Sequence, residues 1–326
     1  MEKDKKIVHD SMGPVEIPAD AMYQAQTQRA LDNFQISDLR LPAVLIHALV
    51  LIKKSCARVN RQAGKLDEQR ADAIERAANS LLAGICEDQF QIDVFQTGSG
   101  TSTNMNVNEV IATLAGDAVE VHPNDHVNMG QSSNDVFPSA IHVAACQSIH
   151  DELLPALQSL EQALWRRSEA HAETLKTGRT HLMDAMPMTL GQEISAWAAQ
   201  IRDARYRIQT GLTRLQQLAI GGTAVGTGVN TSHDFGEQVC AFLQAETGIR
   251  FSPMVNRFQG LSTQDSALEM SGHIRVLATS LSKLCNDLRW MNSGPLSGLG
   301  DITLEAVQPG SSIMPGKVNP VVPEAI

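Results

Sequence analysis

A chain of 326 residues, 43% hydrophobic but only 4% aromatic, has the apolar mass for one large or two smaller domains, and it favours packed helices over a β-sandwich. Its formal charge of −10, with no basic cluster beyond the short run Lys3–Lys6, excludes a nucleic-acid or membrane surface of the usual electrostatic kind. Such a chain binds a small anion only locally, through helix N-termini, backbone N–H groups and a few cations.

Residues 1 to about 40 read as irregular, with Gly13-Pro14 and Pro18, followed by a short helical patch from Ala19 to Phe34. The Met1–Asp10 stretch is mixed in charge and has neither a signal nor a transit pattern. No uncharged apolar run approaches the ~18 residues of a membrane span, so a cytoplasmic chain is expected. Residues 42–62 and 67–84 predict two amphipathic helices broken at Gly64. Asp93–Gly100 reads as a loop of small residues, Asn104–Leu114 as a helix and His122–Asn134 as a polar loop.

From Asn134 the pattern lengthens. Asp135–Lys176 is mostly apolar-periodic, and Pro155 predicts a kink. The next helix is expected to open at Pro187. Ile194, Ile201, Ile208 and Leu215 repeat every seven residues, as do Leu190, Trp197, Ala204, Gly211 and Leu218. A second seam follows, with Met270, Leu277, Leu284 and Met291 beside Ile274, Leu281 and Leu288. Two helices of such length, each about 45 Å, need long partners on several sides. The expected fold is therefore all-α: a mostly helical N-terminal domain over residues 1–133, then a long-helix bundle over 134–326. The Gly-rich Ala219–Asn230 follows a heptad helix and not a strand, so it is no dinucleotide loop; it lets backbone approach something closely.

Four polar, backbone-rich segments suit a multiply charged carboxylate: 97–109, 122–135, 177–193 and 310–320. Within them His181, and a serine of the last segment if its pKa is lowered, are the groups able to move protons, and Lys317 is the cation of the 310–320 segment. His122 and His126 have the spacing of metal ligands on a helix, but Pro123 and Asn124 place them in a loop with no clear acidic third ligand. Cys56, Cys86, Cys146, Cys240 and Cys285 are scattered, which argues for free thiols and against an iron–sulfur or zinc set. No metal and no cofactor are expected.

Together the four segments resemble the active-site regions of the fumarase/aspartase superfamily, most closely the class II fumarases. Gly310–Pro320, "GSSIMPGKVNP", is similar to the superfamily signature loop. His181 after Gly178-Arg179-Thr180 is the fumarase version, where aspartases typically carry Gln. The resemblance implies reversible hydration of fumarate to (S)-malate. It implies Ser311 as the base for the carbon-bound proton and His181, partnered by Glu324, for the proton of water. Substrate contacts implied are Ser99, Gly100, Thr101, Ser132, Ser133, Asn134, Thr180, Ser312, Lys317, Val318 and Asn319. His122, Pro123, Asn124 and Asp125 resemble a secondary anion site. The resemblance further implies a homotetramer with sites shared between subunits, and a small C-terminal domain that this chain lacks after Ile326. An ammonia-lyase of the same fold, or a helical scaffold inert through truncation, are the alternatives.

Overall fold

The computed structural model describes residues 4–116 and 118–326. β1 (Lys5–Asp10) and β2 (Gly13–Pro18) pair as an antiparallel hairpin, Lys5 opposite Pro18 and Asp10 opposite Gly13, where the sequence reading expected irregular chain. Pro14 and Pro18 mask the strand pattern, yet a two-stranded ribbon tolerates them because its outer edges need no N–H donor. Arg29 on α1 (Ala25–Asn33) fastens the turn, donating to both oxygens of Asp10 at 2.8 and 2.9 Å.

α2 (Ala43–Gln62), α3 (Glu68–Leu82) and α4 (Thr101–Ala115) lie close to their expected places. α2 is buried around most of its circumference, Leu49, Val50 and Ile52 included, as a central helix must be. Gly64, at φ +67°, ends it in the left-handed region. Asp67 caps α3 by accepting the Arg70 N–H at 3.0 Å. Glu109, buried on α4, accepts the N–H groups of Gln24, Gln26 and Thr27 at 2.9–3.1 Å and so caps α1 from outside.

α5 (Ser133–Ser148) opens on a capping box of Ser132 and Asp135 and passes through a π-helical turn, Ile149–Leu153, into α6 (Leu154–Ala170). The irregularity falls just before Pro155, which has no N–H to give an α-helical turn. β3 (Leu175–Thr180) and β4 (Met183–Thr189) form a second antiparallel hairpin. Pro187 thus sits in β4 opposite Thr177 and opens no helix. α7 (Leu190–Leu215) starts where Thr189 and Gln192 exchange side-chain-to-backbone bonds at 3.0 and 3.1 Å, a reciprocal cap written in the sequence as T-x-x-Q. β5 (Gln217–Leu218) pairs in parallel with β6 (Ser252–Pro253) across α8 (Phe235–Thr247). α9 (Arg257–Ser262), α10 (Asp265–Met291) and the short α11 (Val321–Ala325) complete the elements. The all-α class holds, with three small two-stranded pairings added to it.

The chain groups into two compact units, Met1–Ile149 with Thr213–Ala267, and His150–Leu212 with Leu268–Ile326. This grouping crosses the expected division at 133/134, because α5 and α8 both pack on α2. In the second unit Leu190, Ile194 and Trp197 of α7 form a core with Leu284, Cys285 and Met291 of α10. The Trp197 indole N–H reaches Asp287 at 3.0 Å. A Cβ on Gly211 would meet Met270 Cε at 2.9 Å, so the heptad position is glycine because α10 runs against it. Both predicted seams of α7 are buried. On α10 the Met270–Met291 series is buried, but Ile274 is exposed and Leu281 and Leu288 are half-buried. Among the described residues no helix is long and apolar enough to cross a membrane.

Candidate active site

The first unit carries two of the four segments in one cavity of about 290 Å³, lined among others by Ser99, Asn134, Phe137, Thr263 and Gln264. Gly100 is the N-cap of α4 at φ +68°, and a Cβ there would lie 2.4 Å from the Phe137 ring. Only glycine lets the first loop reach the start of α5. Ser99 and Thr101 join hydroxyl to hydroxyl at 2.9 Å. Ser132 caps α5, its Oγ accepting the Asn134 N–H at 3.2 Å, and the Asn134 amide donates to the Ala224 carbonyl at 2.8 Å. Ser133 Oγ accepts from Asn104 at 3.3 Å.

Beneath these hydroxyls lies a polar core. Asn128 Oδ1 accepts from Lys53, Asn104 and Asn108 at 2.7, 3.3 and 3.2 Å. Lys53 is fully buried, and desolvation pushes its ammonium down to about 7. Asp135, also fully buried, is pushed up to about 6 by desolvation, against the hydrogen bonds it accepts. Neither residue is among the site residues expected from the sequence.

His122, Asn124 and Asp125 are exposed and Pro123 is buried, all at a short π-helical turn, Pro123–Val127. His122 Nδ1 accepts the Asp125 N–H at 3.2 Å and lies 3.3 Å from its carboxylate. His126 Nδ1 accepts the His122 N–H at 2.8 Å, so both Nδ1 atoms of the pair are spent on backbone. Burial lowers His126, with the Arg70 charge adding to it.

In the second unit Thr180 ends β3, and His181 and Leu182 form the two-residue turn to Met183. Both have positive φ, +53° and +61°, as a type I′ hairpin turn requires. A Cβ on Gly178 would meet the Met186 carbonyl at 2.7 Å, which explains the glycine of the Gly-Arg-Thr-His run. Arg179 donates to both oxygens of Asp301, and Lys176 ion-pairs with Asp301 at 3.0 Å and with Glu193. These charges hold Asp301 below the usual carboxylate range, the Arg179 hydrogen bonds first.

The signature loop closes on itself. The Gly310 N–H donates to the Lys317 carbonyl at 2.7 Å, and the Asn319 amide donates to the Gly310 carbonyl at 3.1 Å. Ser311 Oγ accepts the N–H groups of Ile313 and Met314 at 3.3 and 3.2 Å. Ser312, Lys317 and Val318 are exposed. Lys317, Val318, Arg289 and Glu324 line a cavity of about 480 Å³. Glu324 lies 3.9 Å from Arg289, and no hydrogen bond or ion pair among the described residues joins it to His181 within this chain.

A family model described as Lyase matches residues 13–326. Fumarate hydratase class II of Xylella fastidiosa is 54% identical over 323 residues, 98% of this chain and 68% of that protein. The Corynebacterium glutamicum protein of the same name is 53% identical over 325 residues, covering 99% and 69%. The crystal structure of class II fumarase from Schistosoma mansoni matches with a TM-score of 0.97 at 38% identity, covering 99% of this chain and 72% of that one. A fumarate lyase:delta crystallin structure from Brucella melitensis gives 0.92 at 42% identity, covering 99% and 72%. With a family match and more than half identity along nearly all its length, this chain belongs to the class II fumarate hydratases, a family of lyases.

Proposed function

We propose that the chain hydrates fumarate reversibly to (S)-malate by acid–base catalysis, with Ser311 as the base at carbon. The carrying observation is the pair of backbone N–H groups, from Ile313 and Met314, already aimed at Ser311 Oγ. A serine is a poor base as a neutral alcohol. Donors fixed on its oxygen favour the alkoxide, which can then take the weakly acidic proton beside the malate carboxylate.

Removing that proton builds negative charge on the carboxylate, so cations and hydroxyls must meet it. Lys317, with Ser312, Val318 and Asn319, supplies that end of the site, while Ser99, Gly100, Thr101, Ser132, Ser133, Asn134 and Thr180 supply the rest. His181, presented at a hairpin tip, handles the proton of the leaving or attacking water on the opposite face. Glu324 orients a His181 from another copy, in a homotetramer whose subunits share sites. The half-open seam at Ile274, Leu281 and Leu288 supports such assembly, since it leaves apolar surface for a second long helix. His122, Pro123, Asn124 and Asp125 form a secondary anion site at an exposed turn.

The test is loss of fumarate absorbance in the ultraviolet, with and without ammonia, run beside a mass measurement of the assembly. Consumption without ammonia supports hydration. Consumption only with ammonia points to the ammonia-lyase, and none from an assembled tetramer points to a scaffold.

A further inference from the structure

Two features remain unused by this chemistry: the Gly-rich Ala219–Asn230 and the buried carboxylate of Asp135. They meet. Asp135 Oδ1 accepts the Ser132 N–H at 2.9 Å and completes the α5 cap. Its Oδ2 accepts the N–H groups of Gly221 and Thr223 at 3.0 and 2.8 Å. A helix cap needs only the first of these bonds. Immediately beside them the Asn134 side chain donates to the Ala224 carbonyl at 2.8 Å.

The second loop is shaped to be held this way. Gly221 has φ +86°, and Thr223, a non-glycine at φ +54°, adopts a backbone that L-residues rarely choose without cause. A Cβ on Gly221 would meet the Gly236 backbone at 3.1 Å, so the loop is pressed onto the N-terminal turn of α8. Three N–H donors converge on one group, and only a carboxylate accepts at both ends. An amide in its place keeps one acceptor and turns an N–H₂ toward an N–H.

We infer that Asp135 is a positioning residue for the hydration: it locks the Ser132–Asn134 turn to the 221–224 backbone and so fixes where Asn134 lies in the cavity shared with Ser99. This rests on the proposed reading of Asn134 as a substrate contact. Asp135 touches no substrate. It acts through Asn134 and its neighbours, and a displacement of about 1 Å at such contacts can cost on the order of 100-fold in rate.

The experiment is a double-mutant cycle on kcat/KM for fumarate hydration, with Asp135→Asn, Asn134→Ala and the pair, each checked for assembly by mass and for folding by melting. Asp135→Asn is expected to lose about 100-fold alone and less than about 10-fold in the Asn134→Ala background, since its route is then already broken. Equal losses in both backgrounds overturn the inference, as does a silent Asp135→Asn beside an impaired Asn134→Ala. A wild-type Asn134→Ala removes the substrate-contact reading itself and the inference with it. If Asp135→Asn does not fold, hydrogen exchange on the unaltered protein decides. The Gly221 and Thr223 amides should be protected, and more so with saturating fumarate. Exchange at the open-chain rate, or no response to fumarate, overturns the inference.

Discussion

Arg179 grips Asp301 through both terminal nitrogens, at 2.7 and 3.1 Å, two residues before the histidine proposed to handle water. The pair ties the β3–β4 hairpin to the chain that follows α10. Asp301 also receives Lys176, so its loss strands the mostly shielded Arg179 guanidinium and leaves Lys176 with Glu193 alone. Asp301→Ala should cost about 1–3 kcal/mol in stability, the range for losing charged hydrogen bonds at a partly buried site. Hydration should fall more than that loss of stability implies, because Thr180 and His181 move with the hairpin. Thermal melting and the fumarate absorbance assay check both. A variant with wild-type kcat/KM would sever the hairpin anchor from catalysis.

Gly100→Ala tests the first loop. The added methyl needs a left-handed backbone, about 1–2 kcal/mol dearer for an L-residue, and it overlaps Phe137 at 2.4 Å. Overpacking adds about 1–3 kcal/mol. Expected are a lower melting temperature and a higher KM, since Ser99 and Thr101 flank the strained residue. Gly248, also at positive φ (+72°) but with nothing within 4 Å of a Cβ, is the control and should show backbone cost alone.

The helices of this fold are readable in the sequence because their apolar periods are long: α2, α3, α7 and α10 all follow the spacing rules. The hairpins escaped because their signals conflict. β4 carries Pro187, which alone reads as a helix start, while the true cap at Thr189 and Gln192 lies two residues on. The site loops showed as runs of Gly, Ser and Asn, but the groups holding them did not. Lys53 is one of two adjacent lysines and Asp135 one acid at the end of a polar run, and only the packing of α2, α4 and α5 shows them to be buried. Their partners lie 75 and 86 residues away, beyond any local pattern.

Ser311→Ala and His181→Asn should each lose most turnover while assembly persists. In the proposed assembly a complete site draws His181 and Ser311 from different copies, in keeping with Glu324 meeting Arg289 in its own chain and not His181. Refolding the two inactive variants together should then restore activity, with on the order of a quarter of sites intact when copies mix at random. Recovery equal to zero in a properly assembled mixture would mean that each chain builds its own site.

Lys53 gives a prediction in pH. Its ammonium is pushed down to about 7 by burial, while an unfolded lysine titrates near 10.4. Between those values the unfolded chain binds more protons than the folded one, so stability rises with pH from about 7 toward 10. Below pH 7 the full cost of a buried cation is felt. The Asp135 charge offsets part of it, and the Cys56 thiol, pushed far up by burial, stays neutral. Lys53→Met removes that cost and leaves Asn128 Oδ1 with Asn104 and Asn108 as donors, so no acceptor is orphaned. The variant should therefore melt above the unaltered protein at pH 6, by an amount that shrinks as pH rises to 9.5. A difference independent of pH would show that Lys53 titrates at its ordinary value, and that water or an ion solvates it inside α2.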